Sequence, residues 1–134
     1  MTKDLRVNSD RMLTSFNELA SIGATGDGGV HRPTFSEAHL TARKWFRAEV
    51  ENSGLEFRTD GAGNHSAVLT AERSNIRTLL IGSHLDSVPN GGRFDGALGV
   101  MAALEVLRTI QENGIGLSVN LEAIDFTDEE GTLV

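Results

Sequence analysis

The chain has 134 residues, enough for one domain around one hydrophobic core. Its 39% apolar and 23% charged residues are those of a folded chain, and 19 acids against 12 Lys and Arg leave a formal charge of −7, which disfavours binding to a nucleic-acid backbone. No apolar run reaches membrane-spanning length, the N-terminus lacks the apolar segment of a secretory signal, and the lack of cysteine excludes disulfides, thiolate zinc sites and cysteine nucleophiles, so a soluble cytoplasmic protein is expected.

Ser9 stands where it would cap a helix in which Met12, Leu13, Phe16, Leu19 and Ala20 recur at helical spacing. A glycine-rich loop at 23–29 ends that helix. Thr34 to Glu37 has the capping-box pattern and predicts a second helix from about 34–36. Its buried stripe would be Ala38, Ala42, Trp45 or Phe46, and Val50, with Gly54 as the stop. Residues 55–59 and 66–70 read as strands joined by the turn-rich segment 60–64, consistent with a hairpin.

The second half is more regular. It reads as a buried strand at 77–83, a loop at 84–95, a helix at 97–112 and a strand at 117–126. Val100, Leu104, Leu107 and Ile110 or Gln111 lie near one face of that helix, and Asn113 with Gly114 ends it. Strand, helix and strand in this order form a βαβ unit, which predicts two parallel strands joined by a right-handed crossover. The fold class is α/β.

In open parallel sheets, ligands gather outside the carboxyl ends of the strands. His84 and Asp86 directly follow the first strand of the unit, and Asp95 opens the helix. Asp125, Asp128, Glu129 and Glu130 crowd the last ten residues, where the second strand ends. Crowded carboxylates with only Arg93 as a nearby cation repel one another unless a divalent metal binds them. One imidazole with several carboxylates suits Zn, Mn, Co or Ni better than Ca. Asp86 is within reach of the second ring nitrogen of His84 and would orient it.

Each of these residues also has a plainer reading. Asp95 with Gly96 fits a helix N-cap, His84 a hydrogen-bonded loop histidine, and Glu129 with Glu130 a solvated acidic turn. Their joint occurrence at matched strand ends sets a metal site beside those readings. Residues 61–66 hold only half a dinucleotide fingerprint and lead into a strand, and no phosphate loop is present. Ser83, His84 and Asp86 are triad residue types, but no nucleophile elbow accompanies them.

GSHLDSVPNGGRFDGALGV at 82–100, followed by IDFTDEEGT at 124–132, closely resembles the di-metal aminoacylase/carboxypeptidase-like amidohydrolases. Within them the likeness is to the N-carbamoyl-L-amino acid hydrolase, allantoate amidohydrolase and β-ureidopropionase group. GGVHRPTFS at 28–36 and the segment 60–64 support it. The resemblance implies a three-layer αβα zinc-exopeptidase-like catalytic domain with a mixed sheet and two divalent metal ions (Zn, Mn, Co or Ni). It implies that His84 binds one metal, Asp95 bridges both, Glu130 binds the other, Asp86 orients His84, and Glu129 is the general base. The implied substrate is a small carbamoyl or ureido compound carrying a carboxylate.

Members of that group are much longer, carry further metal-binding histidines beyond the matching region, and dimerise through an inserted lid domain. Residues 1–134 are therefore expected to be the N-terminal part of a catalytic domain, cut after the second strand of the βαβ unit. Such a chain would bind metal weakly, turn nothing over by itself, and expose an unpaired edge on the strand ending at Phe126. Two other readings are a peptidase or N-acyl amino acid deacylase of the same superfamily, and a non-catalytic product that self-associates.

Overall fold

Asn8 opens the first helix, α1 (Ser9–Ser21), its side chain accepting the Arg11 N–H at 3.0 Å. The cap lies one residue before the expected Ser9, because Asn8 is the last residue with extended backbone. Of the predicted stripe, Phe16 and Leu19 are buried, whereas Leu13 is exposed. The second helix, α2 (Glu37–Asn52), is capped by Ser36, whose Oγ accepts the His39 N–H. The expected capping box is thus displaced: Thr34 stands outside the helix and its hydroxyl is used elsewhere. On α2, Ala42, Phe46 and Val50 are buried, with Phe46 rather than Trp45 at the centre.

In this computed structural model, which describes residues 4–73 and 76–133, the remaining elements are β1 (Glu56–Thr59), β2 (His65–Leu69), β3 (Thr78–His84), α3 (Ala97–Glu112) and β4 (Asn120–Phe126). β1 and β2 form the expected hairpin; the Asp60 carboxylate closes its turn by accepting the Ala62 and Asn64 N–H groups, both at 2.9 Å. β3 and β4 are parallel, as the βαβ reading requires, with Leu79 opposite Leu121 and His84 opposite Phe126. β4 also pairs antiparallel with β2, so the sheet is mixed and its order is β1-β2-β4-β3.

Two expectations about this sheet are corrected by that order. β4 does not lie at an edge, because the β1–β2 hairpin folds back onto it and β3 covers its other side. The edges belong to β1 and β3, and β3 is not a buried strand: Leu79 and Leu80 are 53% and 49% exposed. The run of apolar residues at 79–81 gave no clue to this, since an apolar strand reads alike at the centre and at the rim.

All three helices share one face of the sheet. Phe57, Ala67, Leu69, Ile81, Leu121 and Ala123 alternate onto that face and pack with Phe16, Phe46, Leu104 and Leu107 in one cluster. The described residues therefore build two layers of the expected three. Ion pairs lash the helices together over this core. Arg11 of α1 meets Glu105 and Glu112 of α3, and Arg108 of α3 meets Glu49 of α2 at 2.8 Å. Glu105 and Arg108 are almost fully buried, so each needs its partner to offset lost hydration.

Candidate metal centre

Parallel pairing delivers the end of β3 and the loop after β4 to one rim of the sheet. β3 ends on His84, which is 5% exposed. Its Nδ1 lies 2.9 Å from the Asp86 carbonyl oxygen and 3.4 Å from Asp86 Oδ1. Nε2 is left facing the carboxylates, 3.6 Å from Asp95 Oδ1 and 3.4 Å from Glu129 Oε2. One donor atom each from His84, Asp95 and Glu130 lie within 4.8 Å of one another. Donors on a four-coordinate zinc stand roughly 3.4 Å apart. Asp95, 62% exposed, has the freedom to close that difference, so the donor set fits a divalent ion.

Asp95 is not a helix cap. The cap position of α3 is Gly96, and no side chain bonds the end of that helix. Instead Ala97 N–H donates to the Asp95 carbonyl at 2.7 Å, closing a γ-turn with Gly96 at φ 65°, ψ −54°. A Cβ on Gly96 would stand 2.5 Å from His84 Cε1 and 2.6 Å from Nδ1. The missing side chain is thus what lets the start of α3 close against the imidazole.

The electrostatics follow from these contacts. The Asp86 side chain, with its carbonyl and Glu129 adding to it, pushes His84 up to about 9 against the opposing effect of burial. Burial would raise Asp86, but His84 and the Glu130 N–H outweigh it and hold the carboxyl near 2. Burial and the neighbouring Asp95 raise Glu130. Asp86 Oδ2 accepts the Thr34 hydroxyl at 3.2 Å and the Glu130 N–H at 3.1 Å. The expected Asp86–His84 contact is therefore made chiefly through the Asp86 main chain, while its carboxylate also holds Glu130. Arg93, the cation expected beside the acids, lies over the Phe94 ring instead.

Other residues that build the site were not singled out by sequence reasoning. Asp125, counted there with the acidic end, is fully buried: it accepts the Leu85 N–H at 2.8 Å and pairs with Arg43 at 3.1 Å. Arg43 also bonds the Gly63 carbonyl and Thr127 Oγ1. Burial pushes Asp125 up to about 6 despite the guanidinium. Alternation along β4 was the available signal, since Asp125 falls on the same face as Leu121 and Ala123. Arg32, buried without a carboxylate partner, gave none.

An α/β domain with a donor set for a divalent metal is the class that this fold and site define. Residues 64–134 match Peptidase family M28, and the chain belongs to that family. It is 37% identical over 125 residues to an N-carbamoyl-L-amino acid amidohydrolase of Geobacillus stearothermophilus, covering 93% of this chain and 31% of the relative. The allantoate amidohydrolase of Bacillus subtilis is 38% identical, over 85% of this chain and 28% of its own length. A hydantoinase/carbamoylase family amidase from Burkholderia ambifaria superposes with a TM-score of 0.90 at 38% identity, over 95% of this chain and 31% of that one. The chain thus spans about a third of the length of the relatives it matches. No helix among the described residues is long and apolar enough to cross a membrane.

Proposed function

We propose that this chain carries the metal-binding part of an amidohydrolase that cleaves a C–N bond of N-carbamoyl-L-amino acids or similar ureido compounds. The convergence of His84, Asp95 and Glu130, with Glu129 beside them, carries the reading. A divalent ion there (Zn, Mn, Co or Ni, two such ions in the complete site) would supply a Lewis acid and an acidified water. Asp95 would be the shared ligand, with His84 and Glu130 one on each ion. Glu129, exposed and next to these ligands, would take the proton from the attacking water and return it to the leaving nitrogen. Asp86 would keep His84 Nε2 turned toward the ion.

Relatives named for carbamoyl-amino acids and allantoate support a ureido substrate over the peptides that the family name suggests. Residues 1–134 are then the N-terminal part of a cytoplasmic catalytic domain, whose whole form dimerises through a lid. A chimera tests the function: this chain replaces the matching region of the Geobacillus relative, and ammonia release from N-carbamoyl-L-amino acids is followed beside dipeptide and N-acetyl-amino acid cleavage. Carbamoyl hydrolysis that Glu129→Gln abolishes is expected. Dipeptide or N-acyl cleavage in its place would refute the substrate assignment. The free β3 edge favours a second reading for the isolated chain, self-association, which light scattering across concentrations tests.

A further inference from the structure

The segment 28–36 has no part in the chemistry above, yet it is bonded to residues 85–87 and Gly91 of the loop that runs from His84 to Asp95. Val30 and Gly91 exchange N–H···O bonds of 2.9 and 2.8 Å. Arg32 N–H donates to Ser87 Oγ at 2.8 Å, and Ser87 N–H returns to the Arg32 carbonyl at 2.9 Å. The Arg32 guanidinium, fully buried, donates to the carbonyls of Leu85, Leu19 and Ile22, all at 3.0 Å. Phe35 holds a left-handed φ of 59° with its N–H donating to His39 Nδ1, which turns the chain into α2.

Between these anchors sits Thr34, 6% exposed. Its hydroxyl donates to Asp86 Oδ2, the oxygen that also accepts the Glu130 N–H. Its own N–H donates to Thr132 Oγ1 at 3.0 Å, on the loop that carries Glu129 and Glu130. Thr34 is therefore bonded to both metal-bearing loops, to one through its hydroxyl and to the other through its main-chain N–H, beside the direct Glu130–Asp86 bond between them.

We propose that residues 28–36 form a strap that sets the spacing of the two loops, with Thr34 as the positioning residue for Glu130. The proposal rests on the metal-centre reading above. One Asp86 oxygen faces His84 and the other takes two donors; without the Thr34 hydroxyl that second oxygen keeps only the Glu130 N–H, and the anchor of the Glu130 main chain slackens. Outer-shell bonds of this kind are worth about tenfold or more in metal affinity. Thr34→Val keeps the shape and removes the donor, whereas Thr34→Ser keeps the donor.

Zinc titration calorimetry on the chain and its two variants tests this, with amide hydrogen exchange at Glu130 measured on the metal-free forms. The expected result is at least a tenfold weaker zinc affinity for Thr34→Val, near-parent affinity for Thr34→Ser, and faster Glu130 exchange in the valine variant alone. Equal affinity and equal exchange in all three would overturn the strap. If the parent takes up no zinc, the metal reading falls by itself, and the exchange data still decide: unchanged Glu130 protection in Thr34→Val refutes the proposal, and a selective loss upholds it. A valine variant that fails to fold shifts the test to Thr132→Ala, for which the same slackening of Glu130 is expected and unchanged protection would count against the strap.

Discussion

Gly96→Ala is the most searching single substitution in this molecule. Two costs add. An alanine must adopt φ 65°, ψ −54°, a strained backbone region that costs about 1–3 kcal/mol. Its methyl must also fit where 2.5 Å separates it from His84 Cε1, about 1 Å less than ordinary contact, and overpacking of that kind costs about 1–3 kcal/mol. The sum is about 2–6 kcal/mol, of which relaxation of the ring relieves part. That relaxation moves His84 Nε2 by about 1 Å, well outside the roughly 0.2 Å tolerance of a metal–nitrogen bond. Gly92→Ala is the control, because there the new Cβ meets only Asp95 Cβ at 4.0 Å. Urea unfolding followed by circular dichroism, with zinc titration on the same samples, should show Gly96→Ala losing stability and zinc together while Gly92→Ala keeps both. If Gly96→Ala unfolds within about 0.5 kcal/mol of the parent and binds zinc equally well, the account of the γ-turn and its contact with His84 is wrong.

Four further outcomes are expected. Asp95→Ala should lose zinc, measured by elemental analysis of purified protein, yet unfold no more easily than the parent without metal, because an exposed carboxylate beside other acids is being removed. Zinc must displace the proton that Asp86 holds on His84, so calorimetric zinc affinity should rise about tenfold per pH unit up to about 9, with one proton released. By the same shift, the metal-free chain should be stabilised by His84 below pH 6.5, its usual value, and lose that contribution as pH rises through about 9, which thermal unfolding across that window reads. Leu80→Lys should suppress any concentration-dependent association seen by light scattering, since a charge on an exposed strand edge opposes pairing with another copy.

The elements were legible where periodicity or turn chemistry was strong. The helix at 97–112 and the parallel pair around it followed from apolar spacing and from the order of strand, helix and strand. The sheet order was not legible, because the hairpin at 56–69 carries no mark that tells which strand it will join; β4 accepts it antiparallel through a core face shared by Ala67 and Ala123. At the site, His84, Asp86, Glu129 and Glu130 were readable as chemistry because they cluster at the ends of two parallel strands, and Asp95 because it opens the helix between them. Thr34 and Arg32 were not, since Thr34 meets Asp86 from 52 residues away and the Arg32 guanidinium bonds only main-chain carbonyls, which leave no mark in a sequence. Gly96 lay in plain view beside Asp95 in a helix-cap pattern, and only its backbone angles reveal the turn that places Asp95 beside the imidazole.

The parallel pairing of β3 with β4 bears on where such a chain tolerates changes of length. Side chains alternate along β3, so losing one residue between Thr78 and His84 would present Leu85 at the rim in place of the imidazole, and gaining one would present Ser83. Gly82 reinforces the register, since its bare backbone closes against Ile124 where no other residue fits. In the turn at 113–119, the N–H groups of Asn113, Gly114 and Ile115 bond back to α3, and the turn lies far from His84 along the chain. Insertions and deletions among homologous chains should therefore collect at 113–119 and in the turn at 60–64, while the stretch from Thr78 to Gly96 keeps a constant number of residues.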